Sequence, residues 1–231
     1  MCIRDRNYLA TVEAYNLRTS TWRSCLPLSQ RRHGAVAGVV GGRLVVAGGF
    51  APGVGRLTSV EAYTPTGWTP LPPLPHAAHY ATACVLNGRL YVMSGRYCNK
   101  LQVLEMSEEN EFTWTVKADL FASRWQAASA VVDGKLWLIG GQVYHRPSNT
   151  VIIYDPVRDS WSEGPTLPDG AVPGDSDPHT QYRATILDGE IYLICPRQRV
   201  YVYTNQDWVQ LPGQLPLGSD GAPAFESVVL G

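Results

Sequence analysis

Ala130-Val131-Val132-Asp133-Gly134-Lys135-Leu136-Trp137-Leu138-Ile139-Gly140-Gly141 sets two apolar runs of strand length on either side of an Asp-Gly dipeptide. Asp-Gly accepts positive φ at both central positions of a two-residue turn, so the stretch predicts a tight hairpin. Val39–Gly49 repeats the pattern around Gly41-Gly42, and Val85–Gly95 repeats it around Asn87-Gly88. A fourth copy, Ile186–Pro196, keeps the turn as Asp188-Gly189 but has Cys195-Pro196 in place of the paired glycines.

The copies recur at a fixed interval. Trp22, Trp68, Trp114, Trp161 and Trp208 are spaced by 46, 46, 47 and 47 residues. The turn glycines Gly42, Gly88, Gly134 and Gly189 step by 46, 46 and 55. A period of this length, with strand patterning and no sustained helical spacing, predicts the blades of a β-propeller.

Each unit divides into four strands. The inner ones are expected at Gly34–Val40, Tyr80–Leu86, Gln126–Val132 and Arg183–Leu187, rich in the small residues that crowding at an axis requires. Nearly all-apolar second strands follow at Leu44–Ala47, Leu90–Met93, Leu136–Ile139 and Ile191–Ile194. Third strands are expected at Val60–Tyr63, Val103–Met106, Val151–Tyr154 and Val200–Tyr203. The fourth begins at each tryptophan and runs toward Leu71-Pro72, Leu167-Pro168 or Leu211-Pro212, where proline suits an outer edge.

These units give an all-β fold of four complete four-stranded blades and two partial ones. The boundaries are an outer half-blade at 7–28, blades at 29–74, 75–121, 122–168 and 169–217, and an inner strand of a truncated blade at 218–231. The expected whole is an arc of a six-bladed ring. Residues 1–6 (Met1-Cys2-Ile3-Arg4-Asp5-Arg6) have no counterpart in the repeats and read as a non-native scar, making the chain a fragment.

With 45% hydrophobic and 17% charged residues, the chain can build a core rather than remain disordered. A net charge of −1 gives nucleic acid and anionic membranes no electrostatic handle. No apolar run approaches the roughly 20 residues of a membrane span. Five irregularly spaced cysteines form neither a disulfide framework nor a Cys-x-x-Cys pair, which suits a cytoplasmic protein without a cofactor.

Paired glycines after an apolar strand, then a tyrosine, then a tryptophan about seven residues on, with Tyr154-Asp155-Pro156 in one copy, resemble the kelch motif. The resemblance covers Asn7–Gly231. It departs at Ser94-Gly95, at Met106 in the tyrosine position, and at Cys195-Pro196. By its repeat length and strand signatures, the chain is most similar to the kelch half of BTB–kelch adaptors for cullin-type ubiquitin ligases. That resemblance implies a non-enzymatic module holding a protein or peptide ligand, with ligase components engaged through other domains. The repeat tryptophans are expected to pack between blades, at roughly 3–5 kcal/mol each if truncated.

Function on such a scaffold belongs to its loops. The second-to-third loops and the blade-to-blade loops share one face, which carries Arg31, Arg32, Arg56, Arg96, Lys100, Arg124, Arg146, Arg197 and Arg199. Phe50, Tyr97, Trp125, Tyr144 and His145 lie among them. Arginine with aromatics is the composition of binding hot spots, and several arginines favour carboxylate partners. The same arginines would equally serve to solvate loops, and Arg32 and Arg124, just before inner strands, could bond loop carbonyls. In partner-binding kelch domains the residues opening the inner strands and those after the double glycine line a central pocket. The matching positions are Gly34, Tyr80, Gln126 and Gln181, then Phe50, Arg96, Gln142 and Arg197. With Tyr97, Tyr144 and Arg146 they make the candidate partner site, for a ligand with acidic groups.

Rival chemistry is poorly represented. Asp175, Asp177 and His179 sit in a Pro/Gly loop better read as solvated than as a metal site. His76-Ala77-Ala78-His79 lacks the glutamate of a zincin, and Ser107–Trp114 lacks the aspartate and glycine of a sialidase box. The enzymatic alternatives are a sugar mutarotase, which needs a buried acid–base pair, and a copper radical oxidase. Tyr97-Cys98 offers the latter no histidine pair. An actin-binding scaffold is the remaining alternative.

Overall fold

The computed structural model describes residues 8–173, 182–196 and 199–212. A half-blade comes first, β1 (Val12–Asn16) paired antiparallel with β2 (Thr21–Cys25). The first full blade holds β3 (Val36–Val40), β4 (Arg43–Ala47), β5 (Phe50–Ala51), β6 (Gly55–Arg56), β7 (Val60–Thr64) and β8 (Gly67–Leu71). The second comprises β9 (Thr82–Leu86), β10 (Arg89–Met93), β11 (Leu101–Met106) and β12 (Phe112–Lys117). The third contains β13 (Arg124–Trp125), β14 (Ala128–Val132), β15 (Lys135–Ile139), β16 (Gln142–Val143), β17 (Arg146–Pro147), β18 (Val151–Asp155) and β19 (Ser160–Glu163). The fourth is β20 (Arg183–Leu187), β21 (Glu190–Ile194), β22 (Val200–Thr204) and β23 (Asp207–Gln210).

Four antiparallel four-stranded sheets result, in the orders β3-β4-β7-β8, β9-β10-β11-β12, β14-β15-β18-β19 and β20-β21-β22-β23. The fold is all-β, a kelch-type propeller arc. The inner hairpins form as their dipeptides dictate. Asn87 and Gly88 take φ of 50° and 72°, Asp133 and Gly134 of 49° and 69°, both positive as a type I′ turn requires.

Adjacent blades meet at their inner strands, β3 against β9, β9 against β14 and β14 against β20. The approach is closest at Gly38. A Cβ on Gly38 would come within 2.5 Å of the Leu90 side chain of the next blade. The buried apolar residues form three clusters, each spanning the interface of two blades, such as Val45 and Ala47 with Leu90 and Val92. Stability is therefore distributed as blade plus neighbour contact.

The repeat tryptophans tie each unit to the one before, Trp208 from within a buried cluster and Trp114 and Trp161 packed against the other two. The indole N–H of Trp68, Trp114, Trp161 and Trp208 donates to the carbonyl of Leu26, Pro72, Ala118 and Pro165, at 2.8, 2.9, 2.9 and 3.2 Å. Each acceptor belongs to the preceding unit, 42 or 43 residues back. The tryptophans thus pack between units as expected, but their burial varies. Trp208 is buried, Trp68, Trp114 and Trp161 are half-buried, and Trp22 is 68% exposed.

Two further expectations change. Tyr15, Tyr63, Tyr154 and Tyr203 stand directly across from their tryptophans, but Trp114 faces Leu104 rather than Met106. The turn Ser107–Glu111 accounts for the shift, because the Ser107 hydroxyl caps the Glu109 and Glu111 amides and lengthens the connection. The second-to-third segments of blades one and three are not plain loops but two-residue ribbons, β5-β6 and β16-β17. The expected inner strand beyond residue 217 lies outside the described residues, as do residues 1–6.

Candidate interaction site on the loop face

The loop face is fastened to the sheets by two buried arginines. Arg32 donates from Nη1 to the Gly48 and Ser59 carbonyls, at 2.9 and 3.1 Å, and from Nη2 to Glu61 at 2.5 Å. Arg124, one blade-pair later, donates to the Gly140 and Thr150 carbonyls and to the Thr150 hydroxyl. Burial pulls the Arg124 pKa down to about 10 and lowers that of Arg32, which the Glu61 charge partly offsets. Both side chains hold the double-glycine turn against the third strand, and neither is offered to a ligand. In blade two Ala78 takes the arginine's place. There Ser94, at φ 57°, bonds the Cys98 carbonyl and receives the Arg124 amide.

The predicted pocket positions form a backbone belt around the axis. The Tyr80 N–H donates to the Gly34 carbonyl, the Gln126 N–H to the Tyr80 carbonyl, and the Tyr182 N–H to the Gln126 carbonyl, at 2.9, 3.1 and 3.2 Å. Gly34, Tyr80 and Gln126 all have positive φ, of 61°, 53° and 57°. Non-glycine residues rarely adopt this conformation, and it persists here because the belt fixes it from both sides. Gln181 lies outside the described residues, and in the fourth unit Tyr182 makes the belt contact. Arg197 also lies outside them.

Above the belt sits an aromatic–imidazole cluster. The His33 and His79 Nε2 atoms are 3.1 Å apart and their rings meet edge to face. Tyr80 stacks on His79 with centroids 4.1 Å apart, and Phe50 packs on both imidazoles. Tyr8 closes the group against His33. Burial drives the His79 pKa down to about 4, with the His33, Arg96 and Arg56 charges pushing in the same direction. His33 is also lowered by burial, though the Phe50 carbonyl opposes this.

Beside that cluster, Arg56 and Arg96 place their guanidiniums over the Tyr97 ring, 5.2 and 5.3 Å from its centroid. Arg56 Nη1 also reaches the Arg96 carbonyl at 3.4 Å. Among the described residues neither arginine has a carboxylate partner. Tyr97 is 62% exposed, and with Arg56, His76, Asn99 and Lys100 it lines an open cleft of about 420 Å³. Tyr97 also approaches His145, which packs edge-on against Trp125. Tyr144 and Arg146 are exposed around the β16–β17 tip, and Gln142 is half-buried on β16. A second cleft of about 500 Å³, at Tyr15, Leu17, Arg18 and Arg23, contains none of the predicted residues.

The structure thus brings Gly34, Phe50, Tyr80, Arg96 and Tyr97 into one contiguous region, while Tyr144 and Arg146 stand on a separate projecting ribbon. His33 and His79 were missed as site residues. The signal was available, because His33, His79 and Trp125 are one 46-residue period apart, immediately before the belt positions. Asp175, Asp177 and His179 lie outside the described residues, among which no group of three metal-ligating side chains assembles.

The Kelch motif family matches residues 31–75 and 124–168. These are the blades carrying both a buried arginine and an intact double glycine. The match supports placing the chain among kelch-repeat proteins, which generally mediate contacts between proteins and are mostly not enzymes. No curated protein matches the chain. Among the described residues, no helix is long and apolar enough to cross a membrane.

Proposed function

We propose that this chain is a non-enzymatic protein-interaction module that holds an acidic peptide on its loop face. The observation that carries the reading is the pair Arg56 and Arg96 over one exposed tyrosine, without a carboxylate partner among the described residues. Two guanidiniums on a shared ring are pre-organised for a planar oxyanion, and Tyr97 supplies rigid apolar area beside it. Phe50, Tyr80 and the belt give that subsite a floor that need not rearrange on binding. The kelch resemblance extends the proposal to a cytoplasmic adaptor that recruits substrates to a cullin-type ubiquitin ligase through domains outside this chain.

An array of acidic peptides, each beside its Asn/Gln counterpart, tests the reading. Capture should depend on the carboxylates and vanish in Arg56→Glu/Arg96→Glu; because Arg56 is exposed but Arg96 is half-buried, the melting midpoint of the variant is measured beside capture to show that it is folded. Equal capture of carboxamide peptides, or full capture by the double variant, refutes it.

A further inference from the structure

The histidine pair beneath the arginines is chemically idle in a simple docking surface, yet its surroundings are unusual. The Nε2 atoms of His33 and His79 lie 3.1 Å apart, so one must carry hydrogen and the other present a lone pair. A proton added to the accepting nitrogen would set two N–H donors against each other and leave one cationic ring in the field of two guanidiniums. Every charged group acting on His79, namely His33, Arg96 and Arg56, is cationic or becomes so. The remaining groups packed on the pair are Tyr8, Phe50 and Tyr80. No carboxylate faces it among the described residues. A resident cation is disfavoured for the same reason, since two guanidiniums sit beside the imidazoles.

We infer that the arginine pair and the histidine pair act together as a proton-linked oxyanion receptor, in which a carboxylate docked on Arg56 and Arg96 lets the imidazole pair take up a proton. The inference rests on the acidic-peptide reading above and adds its regulation. An anion on the guanidiniums offsets the positive field at His79, so the protonated pair is less disfavoured in the complex than in the free protein. Linkage then requires the reciprocal effect, that the anion binds more tightly as pH falls. His33 and His79 confer this, and Arg56 and Arg96 confer the binding itself.

Sulfate is the appropriate probe, because it remains a dianion over the whole range and any pH dependence must come from the protein. Titration calorimetry of the 231-residue chain, in two buffers of different ionisation enthalpy, measures affinity and proton uptake together. Sulfate affinity should rise on the order of tenfold between about pH 7 and about pH 5, with up to one proton taken up per sulfate. His79→Gln should bind sulfate with neither proton uptake nor pH dependence, and His33→Gln serves where His79→Gln fails to fold. Arg56→Ala/Arg96→Ala should lose sulfate at every pH. Arginine-dependent binding without proton uptake overturns the coupling and leaves the acidic-peptide reading standing. Sulfate binding indifferent to both arginines overturns the two together.

Discussion

Replacing Trp161 by Phe removes one indole N–H from the rim and little else. The bond lost runs 2.9 Å to the Ala118 carbonyl, and the ring that remains still packs on Tyr154, whose centroid lies 5.1 Å away. A hydrogen bond of this kind contributes about 1 kcal/mol net, and the smaller ring forfeits about another 0.5–1 kcal/mol of buried area. For a chain of this size, a loss of about 1.5–2 kcal/mol lowers the melting midpoint by about 3–8 °C. Trp22→Phe is the internal control. That indole is 68% exposed and its N–H makes no hydrogen bond among the described residues, so the same substitution there should move the midpoint by less than about 1 °C. Differential scanning calorimetry on the two variants and the parent compares them directly. Equal shifts for the two, or no shift for Trp161→Phe, would refute the idea that these tryptophans act by tying each blade to the one before.

Arg32→Ala should be among the most damaging single changes, at about 3–5 kcal/mol, because it strands the buried Glu61 and two loop carbonyls; urea unfolding against parent protein measures it. Acid should weaken the fold through His79. Its folded pKa of about 4 lies below the usual histidine value, so the unfolded chain binds the extra proton first. That contribution is complete above about pH 6.5 and is lost as pH falls toward about 4, on the order of 3 kcal/mol in all. Urea midpoints across this window should fall in the parent and stay flatter in His79→Phe.

Local chemistry made the blades readable. Asp-Gly and Asn-Gly can occupy a type I′ turn whatever surrounds them, and small residues in Val36–Val40 and Ala128–Val132 answer a crowding that every blade shares. The outer strands were harder, because their register depends on one turn. Ser107–Glu111 is longer than its counterparts, so the residue in the tyrosine's place opposite Trp114 is Leu104 and not Met106. The ribbons β5-β6 and β16-β17 were invisible for a related reason. Two-residue strands have too little alternation to be seen in sequence, and Gln142 pairs where it does because β13 lies alongside it.

The site divides along the same line. Arginines and aromatics could be assigned to the loop face from topology alone, but which of them touch is decided by how far one blade rotates against the next. Arg96 meets Arg56 rather than Arg146 because blades one and two bring β6 beside the short Arg96–Asn99 turn, whereas Arg146 is carried outward on its own ribbon. His33 and His79 meet because identical positions of successive blades converge at the axis. In a ring of repeats the period therefore carries more than the fold. Two ionisable residues one period apart, at a position that faces the hub, are neighbours in space, and their chemistry should be considered as a pair from the outset.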